Sequence, residues 1–318
     1  MSGDGPPELV TLGEVMALFL SDSGAVLGRT DRFDLSYAGA EATVAVAVTR
    51  LGMRATFVGR VGADPLGARI VRELRGEGVD VSAVTVDADR PTGVLIRDAP
   101  ALGPVSVLYH RTGSAGSALA PADLDLELVR RARVLHVTGI TAMLSESAEA
   151  CVDAALDAAQ DAGVTVSFDP NVRRRLGNSE RWQQVVRRLS ARADIVFVGH
   201  EDLQVLEIDT DPHTWFAERG AHTVVVKYGA AGAEESGPDG RHRVAAHTVV
   251  AVDPVGAGDG FAAGWLSAWC AGYGPAHRLE RGALVGAAVA ATRGDTPGLP
   301  DLPAVEALER DGAGTVDR

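Results

Sequence analysis

The chain has 318 residues, a formal charge of −13, 46% apolar residues and 23% charged ones. This is the composition of a globular enzyme with one large α/β domain or two small ones, and it excludes a disordered or fibrous chain. So acidic a surface repels phosphodiester backbones, which argues against a nucleic-acid partner, and an anionic small molecule would have to be met by locally gathered cations.

In chain order, residues 1–7 are small and polar, with no cationic stretch leading into an apolar one, so a frayed tail is expected and no signal peptide. Leu9–Gly13 predicts a first strand, and Leu18–Leu35 lacks a long helical pattern. Ala55–Arg60 predicts a second strand. From Val81 to Arg111 the β-rich pieces Val81–Val86, Gly93–Arg97 and Val105–Tyr109 are separated by Asp, Pro and Gly with no helix between them. A small antiparallel sheet inserted as a lid, from about 14–37 and 81–112, accounts for both irregular stretches.

Beyond it, strands are expected at Val134–Thr138, Val164–Phe168, Ile195–Val198 and Thr223–Lys227. Several are continuous apolar runs, as befits strands covered on both faces. Helices lie between them; in Glu146–Asp161 the residues Ala148, Val152, Ala155, Leu156 and Ala159 share one face. This alternation predicts a mostly parallel sheet with helices on both sides, ligands binding beyond the carboxyl ends of its strands. The longest apolar run, near Ala283–Ala291, is about half a membrane span. Residues 311–318 read as a second tail, leaving one domain over 8–310. The cysteines Cys151 and Cys270 offer neither a disulfide framework nor metal spacing, and the scattered histidines are expected in surface or loop positions. A cytoplasmic protein with no membrane partner is the expectation.

The strongest chemical signal is Asp253-Pro254-Val255-Gly256-Ala257-Gly258-Asp259, followed by an apolar helical run. Gly256, Ala257 and Gly258 allow a sharp turn and close approach of a ligand to the backbone. The helix N-terminus behind them supplies free N–H groups and a positive dipole end. Asp259 would then suit proton abstraction from an attacking hydroxyl, with the amides steadying a phosphoryl group. Helix-start physics alone leaves open that Asp259 only complements the dipole. Lys227, the single lysine of the chain, stands at the end of a predicted strand running into Gly229 and Gly232.

Asp-x-x-Gly-Ala-Gly-Asp resembles the C-terminal signature of the ribokinase-like (PfkB-type) sugar kinases. Gly39-Ala40-Glu41, Leu51-Gly52, Phe57–Gly62 and Asp64-Pro65-Leu66-Gly67 are similar to that family's N-terminal segments. The resemblance spans roughly Leu9 to Leu302 and implies a three-layer αβα fold with a mostly parallel central sheet and a small β-sheet lid. Tyr109–Leu119, Asp169-Pro170-Asn171-Val172-Arg173 and Arg293-Gly294-Asp295 resemble 2-keto-3-deoxygluconate kinases. It implies Asp259 as catalytic base with Gly256, Ala257 and Gly258. It also implies contacts to a sugar acid from Gly39, Ala40, Thr43, Tyr109, Arg111, Arg173 and Asp295, the two guanidiniums suiting a carboxylate. ATP would lie along Asn171, Lys227, Gly229, Gly232 and the glycine turn, with Mg²⁺ and room for a monovalent cation. A homodimer or higher oligomer through the lid is also implied.

The sequence departs from the pattern in places. Gly199 and Asp202 stand where an Asn-x-x-Glu motif linked to magnesium is usual, so Asp202, through water, or Glu201 would take that role. Thr43, Leu95 and Ala283 also differ. A kinase of a neutral sugar or nucleoside is therefore the alternative reading, and a sugar-binding regulator without catalysis a third.

Overall fold

The protein is described by a computed structural model covering residues 5–100 and 105–312. Its strands are β1 (Leu9–Leu12), β2 (Met16–Ser21), β3 (Phe33–Ala38), β4 (Ala55–Gly62), β5 (Val84–Asp87), β6 (Val94–Arg97) and β7 (Val107–His110). They continue with β8 (Val134–Thr138), β9 (Thr165–Asp169), β10 (Ile195–Gly199), β11 (Thr223–Lys227), β12 (Ala233–Gly237) and β13 (Gly240–Val244). Nine of them form one sheet in the order β13-β12-β11-β10-β9-β8-β1-β4-β5. All neighbours from β5 to β11 are parallel, and the β12–β13 hairpin closes one edge antiparallel.

The apolar strands follow from burial on both faces. Successive side chains of a strand point to opposite sides. Val224 and Val226 of β11 enter one apolar cluster and Val225 the other; Val196 and Val198 of β10 separate from Ile195 and Phe197 in the same way. One cluster joins the sheet to the Ala40–Arg50, Ala257–Cys270 and Pro275–Ala290 helices. The other joins it to Glu146–Ala162 and Ser179–Ser190. In Glu146–Ala162 the expected face of Ala148, Val152, Ala155, Leu156 and Ala159 is the buried one. The three layers expected from the sequence are thus present.

A second, four-stranded sheet runs β3-β2-β6-β7. Two expectations about it need correction. It is mixed rather than antiparallel, because β2 and β6 pair in parallel. The piece expected at Val81–Val86 does not belong to it: β5 pairs with β4 at the edge of the large sheet, Gly59 opposite Val84. The small sheet thus draws on β2 and β3 and then on β6 and β7, not on the whole of 81–112. Its apolar side carries Met16, Leu18, Leu20, Ala38 and Leu95. Asp64 pins its approach, accepting hydrogen bonds from Gly67 N and Thr92 N, both at 2.8 Å.

Of the expected tails, 1–4 and 313–318 lie outside the described residues, and the Leu302–Gly312 helix extends into the second one. Two histidines expected near the surface are buried. His136 sits in β8 with Nδ1 2.9 Å from Ser167 Oγ, and burial drives its pKa down to about 4. His213 is 3% exposed in the Pro212–Ala217 helix. Among the described residues no helix is long and apolar enough to cross a membrane.

Phe197 meets Trp265 edge to face at 5.3 Å between ring centres, both fully buried. The contact locks the Ala257–Cys270 helix onto β10. Phe197→Ala is expected to remove about 3–5 kcal/mol of stability, measured as a lower midpoint in urea unfolding.

Candidate active site

The carboxyl ends of β9, β10 and β11, the turn before the Ala257–Cys270 helix and the inner side of the small sheet surround a cavity of about 700 Å³. Gly256 begins that helix at φ +83°, a left-handed conformation that glycine adopts without strain, and no side chain caps the helix. Ala257 N donates to the Pro254 carbonyl at 3.2 Å, which leaves the amides of Gly256, Gly258 and Asp259 for a ligand. A Cβ on Gly258 would lie 3.3 Å from Lys227 Nζ, so the missing side chain lets the ammonium lie against the turn.

Asp259 is 9% exposed in the first turn of the helix. Asn171 Nδ2 donates to its Oδ1 at 3.0 Å, and Asn171 N donates to Asp169 Oδ1 at 3.1 Å. Asp169 Oδ2 accepts from Lys227 Nζ at 2.5 Å. A chain of polar contacts thus runs from Lys227 through Asp169 and Asn171 to Asp259. Asn171 occupies φ +44°, a conformation that asparagine tolerates better than most residues. Burial pushes the Asp259 carboxyl up to about 7; the charges of Asp169 and Asp295 add to the rise, and Lys227 and Arg173 oppose it. Burial and Asp169 likewise push Asp202 up to about 6.

Gly39, Ala40, Tyr109, Arg111, Asn171, Arg173, Asp202, Lys227, Gly229, Gly256, Gly258, Asp259 and Asp295 all line this cavity. Gly39 is required by contact rather than conformation, because a Cβ there would fall 2.4 Å from the Glu14 carbonyl oxygen. Three expected residues do not line it. Ala257 packs against the apolar core instead, and Thr43 is fully buried one turn into its helix with Oγ1 unpartnered. Gly232, at φ +95°, instead lets the chain pass the Val244 carbonyl, 2.0 Å from where a Cβ would stand.

Two cations behave differently from what the sequence suggests. Arg111 is ion-paired with Glu14, itself 2% exposed and held by Ser114 Oγ at 3.0 Å. Arg173 has no carboxylate partner among the described residues and donates only to the Val172 and Asn171 carbonyls, at 3.1 and 3.5 Å. Asp295 is held 2.8 Å from Arg97 Nη2. Sequence reasoning gave no role to Glu14, Arg97, Asp169 or Glu41, the last buried with Thr138 Oγ1 at 2.6 Å and Thr141 Oγ1 at 2.5 Å. The signal for two of them was available: Asp169 ends a strand of the large sheet and Glu14 follows one closely, where ligands meet an open sheet. Among the described residues no three acidic, histidine or cysteine side chains converge as a metal cluster.

The raised Asp259 carboxyl has a consequence for stability. The unfolded chain releases this proton near pH 4, while the folded chain keeps it to about pH 7. Stability therefore falls as pH rises through that window, by about 1.4 kcal/mol per unit at most, and the loss is complete above it. Asp259→Asn removes the titration and is expected to gain stability over the natural chain from about pH 5 to about pH 8, with no gain near pH 4. Urea unfolding at these three pH values measures it.

Residues 7–302 match the pfkB family carbohydrate kinase profile. The chain is 35% identical to 2-dehydro-3-deoxygluconokinase of Bacillus subtilis over 299 residues, covering 92% of each. It is 31% identical to probable fructokinase-2 of Arabidopsis thaliana, covering 84% of this chain and 82% of that one. The crystal structure of 2-dehydro-3-deoxygluconokinase from Thermotoga maritima superposes with a TM-score of 0.89 at 27% identity, covering 97% and 99% of the two chains. Fold, glycine turn and relatives agree: the chain belongs to the PfkB family of carbohydrate kinases, with their ribokinase-like fold, and is a sugar kinase.

Proposed function

We propose that this kinase transfers the γ-phosphoryl group of ATP to the primary hydroxyl of a sugar acid of the 2-keto-3-deoxygluconate type, giving the 6-phosphate. The observation that carries the acid specificity is Arg173, a guanidinium at the cavity wall with no carboxylate partner among the described residues. A planar fork so placed suits both oxygens of a substrate carboxylate. The relatives named for 2-dehydro-3-deoxygluconate support the same substrate class.

In this reading the sugar lies between the small sheet, acting as a lid, and the carboxyl ends of the parallel strands, with Tyr109 and Gly39 against it. Asp259 accepts the hydroxyl proton as that oxygen attacks the γ-phosphorus in line. Asn171 fixes the orientation of the Asp259 carboxylate. The amides of Gly256, Gly258 and Asp259 take up charge developing on the transferred group, and Lys227 lies beside that turn. Closure of the lid would keep water from competing as acceptor. Mg²⁺, when bound with ATP, would screen the phosphates. Asp202 and Asp169 face the cavity and fit a cation held mainly by phosphate and water oxygens, as magnesium sites commonly are. The exposed Phe33 and Leu108 of the small sheet, 40% and 47% accessible, support a homodimer through the lid.

A neutral-sugar kinase is the second reading. Arg111 is occupied by Glu14 rather than free for a carboxylate, and a fructokinase stands among the relatives.

ATP-dependent turnover across 2-keto-3-deoxy sugar acids, neutral ketoses and nucleosides separates the readings. Sugar acids are expected to be the preferred acceptors, and turnover of neutral sugars alone would refute the proposal. Arg173→Gln is expected to raise KM for the acid about 10- to 100-fold while leaving KM for ATP nearly unchanged. Asp259→Asn is expected to lower kcat by about 10²- to 10⁴-fold with ATP affinity retained. In the natural enzyme kcat should fall as pH drops through about 7, as the base takes up its proton.

A further inference from the structure

We infer that Arg97 is a positioning residue for phosphoryl transfer, a lid guanidinium that holds the glycine turn and Asp295 in one arrangement. The seating of the lid and the geometry around Asp259 are thereby set together. The inference rests on the assignment of Asp259 and its turn as the transfer centre.

Arg97 is the last residue of β6 in the small sheet, yet it is 2% exposed and reaches Asp253 and Asp295 outside that sheet. Its Nη2 stands 2.8 Å from Asp253 Oδ2 and 2.8 Å from Asp295 Oδ1. Asp253 opens the glycine turn. Its Oδ1 accepts from Val255 N at 3.2 Å and its Oδ2 from Gly294 N at 3.1 Å. One carboxylate thus joins the segment before the catalytic helix to the segment after the Pro275–Ala290 helix.

The contact continues through backbone. A Cβ on Gly256 would lie 3.1 Å from the Asp295 carbonyl oxygen and 3.2 Å from its Cα, so the turn packs directly on Asp295. Lid strand, glycine turn and Asp295 therefore share one buried cation. Two buried carboxylates this close would repel each other without it, and either would disturb the turn by moving away. A shift of about 1 Å in such a turn is enough to cost about 100-fold in rate.

The same cation acts on the base. Asp259 is faced by the negative charges of Asp169 and Asp295, the positive charges of Lys227 and Arg173, and the neutral amide of Asn171. Removing Arg97 leaves Asp295 uncompensated. A merely mechanical tether would not alter when Asp259 ionises, whereas loss of this charge would.

Steady-state kinetics of Arg97→Met and Arg97→Lys, from about pH 5.5 to 9, test the inference. Arg97→Met is expected to lose about 100-fold in kcat with ATP KM little changed, and to move the acid limb of kcat to higher pH. Arg97→Lys keeps a positive charge beside the carboxylates and is expected to restore most of kcat and the original limb. Natural kcat and an unmoved limb in folded Arg97→Met would overturn the inference, as would equal losses in the Met and Lys variants. Should Arg97→Met fail to fold, Arg97→Gln replaces it under the same criteria, since it is uncharged but still polar. Asp259→Asn separates the two levels. An active Asp259→Asn refutes the base assignment itself, whereas an inactive one beside a fully active Arg97→Met refutes only the role of Arg97.

Discussion

The active site depends on one ion pair, between Lys227 at the end of β11 and Asp169 at the end of β9. Strand pairing places these two residues across β10, and burial makes their mutual neutralisation necessary. Once Asp169 is fixed by the ammonium, its other oxygen sets the turn at Asn171, and Asn171 in turn holds Asp259. The Asp259 carboxylate is therefore oriented from the sheet rather than from its own helix. The fold supplies a rigid platform on which a carboxylate stays buried, with its pKa raised and its orientation fixed.

An acidic chain that binds anions has to distribute its cations with care. Around the cavity, Lys227 is paired with Asp169, Arg111 with Glu14, and Arg97 with Asp253 and Asp295. Only Arg173, among the cavity-lining cations described, lacks a carboxylate. Three of these four cations are thus neutralised locally before any ligand arrives. In the proposed reading, acid specificity rests on this one guanidinium that no carboxylate holds in an ion pair, more than on the total charge of the pocket.

Much of this was legible in the sequence where the determinants are local. The glycine turn and Asp259 are contiguous, and their helix-start chemistry can be argued from seven residues. The parallel strands declared themselves as unbroken apolar runs, because both faces are covered. What escaped depended on partners distant in the chain. Glu14 neutralises Arg111 only because β1 and the small sheet meet, and Arg97 finds Asp253 only through the folded cavity. Val84–Asp87 looked like its neighbours in composition; pairing with β4, which no local pattern encodes, assigns it to the large sheet. Thr43 followed the same rule, since its position on the helix turned it into the core.

The presence of one lysine in 318 residues has a practical side. Reagents directed at ε-amines have a single address in this protein, and that address is 15% exposed at the wall of the cavity. Conventional amine coupling to a surface or a fluorophore therefore reaches either the chain's amino terminus or the heart of the active site. The same scarcity turns Lys227 into a natural reporter: acylation at one known position would register whether the cavity is filled, with no engineered label.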